Sequence, residues 1–341
     1  MIAPDSRITL SGAPGSPYTR KMLAVLRYRH IPYRLALGLY GAEELPKPKV
    51  TLLPTFYFPD ADGRLQAVTD STPIIRRLEG VVSGRSVRPS NPALALLDAL
   101  LEDYGDEWLT KAMFHYRWHY ADDIAKSSAV LPSWRGRLTD DQLKSAGAAF
   151  AGRQIPRLRY VGSNEATWSV IEASYTRFLD AMEKHLIEHA FLLGARPGTG
   201  DFGMFGQLTQ LALFDPTPMA LTVLRAPRVL AWTAAVDDLT GLEPTEADWF
   251  AMTALPDTLK TILGEVGRVY APLLIANAKA VQSGAEEVRT EIDGGVWVQQ
   301  PFAYQAKCLT WLRDEYGALD AESRVQVDSA LAGTGCEVLF A

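Results

Sequence analysis

Apolar and polar residues alternate in short bursts over the first eighty positions and then settle into longer helical periods. Arg7–Ser11 (RITLS) alternates and reads as a strand that enters a small-residue turn, Gly12–Gly15. Ser16-Pro17 then opens a helix. A serine hydroxyl suits the N-cap, and proline lacks the N–H that a first helical turn leaves unpaired anyway. Met22, Val25 and Leu26 form the apolar stripe of that helix, with Leu23 and Tyr28 at its edges. Pro32–Leu37 predicts a second strand, and Lys47–Leu53 a loop or weak element. Thr55–Pro59 and Leu65–Thr69 predict two strands joined by the turn signal Ala61-Asp62-Gly63. Ser71-Thr72-Pro73 starts a helix to about Glu79, which gives the order β-α-β-β-β-α.

The period changes after Ser83, where Ser83–Pro92 reads as a polar linker. Helix follows helix from there to about Gly241, with turns at Pro132-Ser133, Gly162–Asn164 and Pro197-Gly198. Pro216, Pro218 and Pro244 punctuate its end. Beyond Leu242 the pattern predicts helix over about 257–283, a strand-like run Val296–Val298, and helices over Tyr304–Tyr316 and Asp320–Leu331. The tail Cys336–Phe340 reads as a strand. Stretches such as Tyr270–Ala276 carry too many apolar residues to lie in water, so this last part is expected to be ordered. The expected division is 1–83, 93–242 and an extension over 243–341.

Composition narrows the classes. A chain of 341 residues suits about two domains, and 48% hydrophobic residues speak against disorder. With 34 basic against 40 acidic residues, the chain lacks the charge of a dedicated nucleic-acid binder. The two cysteines, Cys308 and Cys336, exclude a disulfide framework. No apolar run is long enough to predict a transmembrane helix, and the start MIAPDSRITL lacks a secretory pattern, so a cytoplasmic setting with no membrane is expected. The pairs His115/His119 and His185/His189 have the spacing of two metal ligands on one helix face, but no third ligand is apparent and no metal is expected. Arg153, Arg157 and Arg159 read as a solvated basic face, with anion binding as the alternative.

Four segments together resemble the cytosolic glutathione transferases. Ser16-Pro-Tyr-Thr-Arg-Lys21 looks like the segment that opens that family's first helix. Leu53-Pro54-Thr55-Phe56 stands in the place of its V-P-x-L. Asp70-Ser71-Thr-Pro-Ile74-Ile75 looks like its E-S-x-x-I, with Asp for the usual Glu. Phe191-Leu-Leu-Gly194 with Asp201 resembles its later helix cap, although Gly198 stands where Ser or Thr usually caps. The resemblance spans residues 7–242 and implies a thioredoxin-like α/β domain followed by an all-helical domain, with 243–341 as a mostly helical addition.

It also implies glutathione as co-substrate and a homodimer through the face between the two domains. Ser16 would donate to the thiolate at a helix N-terminus, and a serine there removes the obvious route to disulfide chemistry. Pro54 is the expected cis-proline, turning the Leu53 backbone toward the cysteinyl part of glutathione. Ser71 would take the γ-glutamyl carboxylate and Asp70 the ammonium, while ordinary helix capping explains both residues equally. Lys49 reads as a solvated loop lysine in preference to a partner for the glycyl carboxylate. Tyr18, Tyr116, Trp118 and Tyr120 are candidates for lining a pocket for a hydrophobic electrophile, with core or interdomain packing as an equal reading. The leading function is glutathione conjugation, as in detoxification. The alternatives are a non-catalytic scaffold or a glutathione-dependent lyase, dehalogenase or peroxidase.

Overall fold

The computed structural model of the chain describes residues 7–37 and 45–341, so the secretory reading of the first residues lies largely outside the described part. Strand β1 (Ile8–Gly12), helix α1 (Pro17–Tyr28), β2 (Tyr33–Leu37), β3 (Thr55–Pro59), β4 (Leu65–Val68) and helix α2 (Ser71–Val81) follow in the expected order. They form one sheet in the order β2-β1-β3-β4, with β1 parallel to β2 and the other pairs antiparallel. The period-two pattern sets the faces: Ile8, Leu10 and Gly12 are buried and the residues between them are not. The β3–β4 turn closes as an Asx turn, in which Asp60 Oδ1 accepts the N–H groups of Asp62 and Arg64 at 3.0 and 2.9 Å.

Helix α1 is buried almost all round. Met22, Val25 and Leu26 join the apolar core, and the helix also packs on α8 (Thr199–Leu211). That approach depends on Gly206, where a Cβ would lie 2.7 Å from the Pro17 carbonyl.

The segment Ser83–Pro92 is polar, as expected, yet it is fastened and not loose. Arg85 donates to the carbonyls of Tyr28, Leu239 and Leu242, which ties the end of α1 to the end of the helical region. Helix α3 (Pro92–Tyr104) runs through a π turn (Gly105–Leu109) into α4 (Thr110–His119). Next come α5 (Ala121–Val130), α6 (Asp140–Gln154), α7 (Trp168–His185), α8, α9 (Pro216–Arg225) and α10 (Pro227–Val236). The missing cap side chain at Gly198 is supplied from 100 residues away. Asp98 on α3 accepts the N–H groups of Thr199 and Gly200, each at 2.9 Å, and the Thr199 hydroxyl at 2.7 Å. A Cβ at position 198 would lie 2.3 Å from that carboxylate, so glycine is the residue that admits the remote cap. Asp201 completes the helix start by accepting the N–H groups of Gly198 and Leu192.

The last part is ordered. Helix α11 (Asp257–Glu265) passes through a π turn (Val266–Tyr270) into α12 (Ala271–Ser283), and the hairpin β5 (Val288–Ile292) with β6 (Gly295–Gln299) leads to α13 (Ala303–Ala318) and α14 (Ala321–Leu331). Leu259, Ile262, Leu263, Leu273 and Leu274 are buried, and Trp297 is fully enclosed with its ring 5.1 Å from Trp108. Two details differ from the sequence reading. Strand β5 was not expected; its partner is set by the Asp293-Gly294 turn, where both φ angles are positive (53° and 73°) as a tight hairpin requires. The tail Cys336–Phe340 is not a strand but a 3-10 turn over Cys336–Leu339. Gly335 at φ 86° reverses the chain there, and the Phe340 N–H bonds back to Glu337 within the turn instead of to a neighbouring strand. Among the described residues no single helix is long and apolar enough to cross a membrane.

Candidate active site

Ser16 caps α1, and its Oγ accepts the Thr19 N–H at 3.2 Å. Its own proton is directed at the Leu53 carbonyl, at 3.3 Å. The bond from Leu53 to Pro54 is cis, and it places this carbonyl across from the helix start. Leu53 is exposed and Pro54 is buried at the head of β3. A hydroxyl that accepts from a helix N–H and donates only a long bond is well placed to turn its proton toward an incoming anion. Lys49 is exposed in the loop before it.

The second half of the site is the start of α2. Asp70 adopts φ 86°, ψ 111° and makes no side-chain cap; its Oδ1 instead accepts the hydroxyl of Tyr304 at 2.9 Å. Ser71 is buried, and its Oγ accepts from Lys21 Nζ at 3.2 Å. Its own proton is therefore available to a carboxylate at the helix end.

Lys21 joins this start to the helical region. It is fully buried, 2.7 Å from Glu102 Oε1 and 2.5 Å from Asp106 Oδ2, and Thr72 donates to the same Glu102 oxygen at 3.0 Å. Burial alone would lower the lysine pKa, but the two carboxylates outweigh it and raise it. Burial likewise opposes the charge on Glu102, and Lys21 outweighs it to bring that carboxyl below its usual range. Lys21 belongs to the Ser16–Lys21 segment, but the sequence carried no sign of its partners 81 and 85 residues away.

Around this pair lies a layer of buried acids shared with α13. Burial pushes Asp106 up to about 6, Asp103 to about 7 and Glu107 to about 8, with neighbouring carboxylates adding to each shift. Tyr270 donates to Asp103 at 2.7 Å, and Gln305 Nε2 to Glu107 at 3.1 Å. Carboxyl groups whose folded pKa is raised stabilise the fold while protonated and cost stability as pH climbs through the shifted values. Lys111, lowered by burial to about 8, acts in the opposite direction at and above that pH, and His185 and His115, both lowered by burial, do so below about pH 6.5. The thermal midpoint is therefore expected to fall between about pH 6.5 and about pH 8, where the histidines no longer oppose the acids, and Glu107→Gln to flatten the slope. Melting curves at fixed ionic strength check this; an unchanged slope in the variant would contradict it.

The aromatic candidates are placed as follows. The Tyr18 hydroxyl donates to the Asp106 carbonyl at 2.8 Å, so it fastens α1 to the π turn. Tyr116 and Trp118 are buried, Tyr116 stacking on Tyr120 and Trp118 packing against Phe114 and Phe150. Tyr120 is half-buried and donates to Glu172 at 2.6 Å. The two histidine pairs are also engaged. His115 bonds Ser163 and Glu172 through its two ring nitrogens, and His185 bonds Thr258 and the Phe191 carbonyl. Among the described residues no three His, Cys, Asp or Glu side chains are grouped to hold a metal ion. Arg153, Arg157 and Arg159 are exposed.

Comparison with known proteins agrees with this architecture. The family model of the glutathione S-transferase N-terminal domain matches residues 10–86, and that of the C-terminal domain matches residues 145–235. The chain belongs to the cytosolic glutathione S-transferase superfamily, with a thioredoxin-like domain followed by a helical one. Among solved structures it is similar to the β-etherase LigF from Sphingobium sp. strain SYK-6, at 17% identity over 68% of this chain and 95% of that one, with a TM-score of 0.46. A glutathione S-transferase from Methylobacterium radiotolerans in complex with glutathione sulfonate is 17% identical over 72% of this chain and 94% of that one, with a TM-score of 0.41. One from Burkholderia graminis, with two glutathione molecules bound per subunit, is 15% identical over 76% and 89%, with a TM-score of 0.40. No curated protein matches the chain.

Proposed function

We propose that this protein binds glutathione and transfers its thiolate to a hydrophobic electrophile, in a cytoplasmic setting where the thiol stays reduced. The observation that carries the reading is the Ser16 hydroxyl, held at a helix N-terminus by Thr19 with its proton resting on Leu53. In this reading the glutathione cysteinyl backbone pairs with Leu53 beside Pro54, and the thiol lies over the start of α1. The γ-glutamyl carboxylate meets Ser71 and the N-terminus of α2, and its ammonium meets Asp70. The enzyme's work is then to place the thiolate and the electrophile together and to hold the sulfur charge in advance. The same thiolate serves ether cleavage, dehalogenation or peroxide reduction, and the β-etherase named among the similar structures is a reason to include ethers in a substrate panel.

Calorimetry with glutathione, followed by turnover of aromatic halides, alkyl halides and aryl ethers, tests the reading. Heat of binding and glutathione-dependent product are expected. Neither heat nor a thermal shift at millimolar glutathione would leave the fold as a scaffold.

The homodimer implied by the family resemblance meets a particular obstacle. Helix α13 lies on the face between the two domains: Glu315 pairs with Arg76 of α2 and Arg88 of the linker, and α13 and α14 pack on α3. A second copy approaching there would meet the extension instead of the bare helices. Light scattering on the full chain is expected to give the mass of one chain; twice that mass would place a dimer contact on another face or on the extension itself.

A further inference from the structure

We infer that Tyr304, on the C-terminal extension, is a positioning residue for the glutathione site, holding Asp70 so that its second oxygen faces the γ-glutamyl ammonium. This rests on the glutathione reading above and adds to it a role for residues beyond 242.

The surroundings of Asp70 carry it. Asp70 is one methylene shorter than the glutamate usual at this place in the family, and it sits at φ 86°, a conformation few non-glycine residues hold without support. Its carboxylate is not spent on capping α2; one oxygen takes the Tyr304 hydroxyl at 2.9 Å. That partner is a neutral donor, so it fixes the carboxylate without cancelling its charge, as an arginine or lysine would. Lys21 and Lys307 act on Asp70 through their charge without an ion-pair contact to it, and the Nζ of Lys307 rests 4.2 Å from the centre of the Trp311 ring. The surroundings are rich in negative charge, since Asp70, Glu102 and Asp106 gather near the buried ammonium of Lys21. Such a place favours a second ammonium.

The tyrosine is itself braced. Its ring meets Trp311 edge-on, with centroids 6.2 Å apart. Helix α13 is tied down on both sides, by Gln305 to Glu107 and by Glu315 to Arg76 and Arg88. Through these contacts a segment 234 residues from Asp70 in sequence sets where Asp70 points. The extension thereby acts on the amino-acid end of the ligand and leaves the sulfur to Ser16.

The test is binding and kinetics of Tyr304→Phe, whose ring keeps the packing and loses only the hydroxyl. Affinity for glutathione is expected to fall roughly fivefold, the worth of one hydrogen bond. Turnover at saturating glutathione, and its pH profile, should stay as in the wild type. A glutathione analogue lacking the γ-glutamyl amino group should bind wild type and variant alike. Asp70→Asn should weaken glutathione binding further, and adding Tyr304→Phe to it should cost nothing more. Unchanged glutathione affinity in Tyr304→Phe, equal losses for both peptides, or additive losses in the double variant would overturn the inference. Failure of the wild type to bind glutathione is a separate outcome, and it overturns the glutathione reading itself.

Discussion

Replacing Lys21 with methionine is expected to destabilise the protein by roughly 3–5 kcal/mol near neutral pH, the range found when one partner of a buried ion pair is removed. Methionine keeps most of the aliphatic stem, so the packing of α1 against the helical domain changes little. The ammonium is what goes. Glu102 and Asp106 then face each other inside the protein with no cation between them, and Ser71 loses its donor. The sign of the pH dependence distinguishes this from a packing defect. Glu102 has its folded pKa depressed by Lys21, so the stability it contributes is fully present above the unfolded carboxyl pKa and is lost below it, as pH falls through the folded value. In the variant both carboxyls can take protons in acid and no longer need the cation. The gap between wild type and variant should therefore be widest above about pH 7 and narrow toward about pH 4. Denaturant melts at several pH values give the answer. A gap that does not change with pH would mean that the lost stem, not the lost charge, explains the effect.

The Lys21 case also shows which parts of the molecule could be read in advance. Ser16-Pro17, the Ala61–Gly63 turn and the polar–apolar period of α1 are local signals, because a cap, a tight turn and a stripe are decided within a few residues. The apolar and polar periods then predicted the order of sheet and helices, and the four family-like segments fall on it in sequence. Features that depend on two distant segments meeting left no such trace. Asp98 is an unremarkable acid in α3 until the fold brings it to the start of α8, and Gly198 looks like a weak cap until a remote carboxylate fills the space its side chain would occupy. Tyr304 is one aromatic among many in an extension with no counterpart in the family segments. Its tie to Asp70 exists only because α13 folds back over α2 and α3. Cys336–Phe340 has strand-forming side chains, but the left-handed Gly335 and the local turn bonds decide its shape.

For the chemistry, Ser16→Ala is expected to slow turnover about three- to fifteenfold at roughly pH 6.5 while glutathione still binds. The estimate follows from the bond the hydroxyl would make. A hydrogen bond to a charged group is worth about 1.5–3 kcal/mol, which lowers a thiol pKa from about 8.5 by one to two units. Below both values the variant then carries ten to a hundred times less thiolate. Part of that loss is returned, because a thiolate of higher pKa is a stronger nucleophile, with a Brønsted coefficient of about 0.4–0.5. The net effect is about three- to fifteenfold in mild acid and reverses in sign once the variant's thiol is itself ionised. The rate profile of the variant should thus be displaced to higher pH and meet or cross the wild-type curve above about pH 9. Binding should survive, since in this reading Leu53, Asp70 and Ser71 hold the peptide independently of the thiol. Losing the Ser16 hydroxyl also releases the Leu53 carbonyl, whose long 3.3 Å bond is too weak to hold the loop on its own. Two measurements suffice: calorimetry with glutathione, and initial rates across pH with an electrophile from the panel. A uniform loss at every pH would point to misplacement of the peptide, and full activity at pH 6.5 would remove Ser16 from the mechanism, leaving the α1 N-terminus and its Thr19 N–H to stabilise the sulfur.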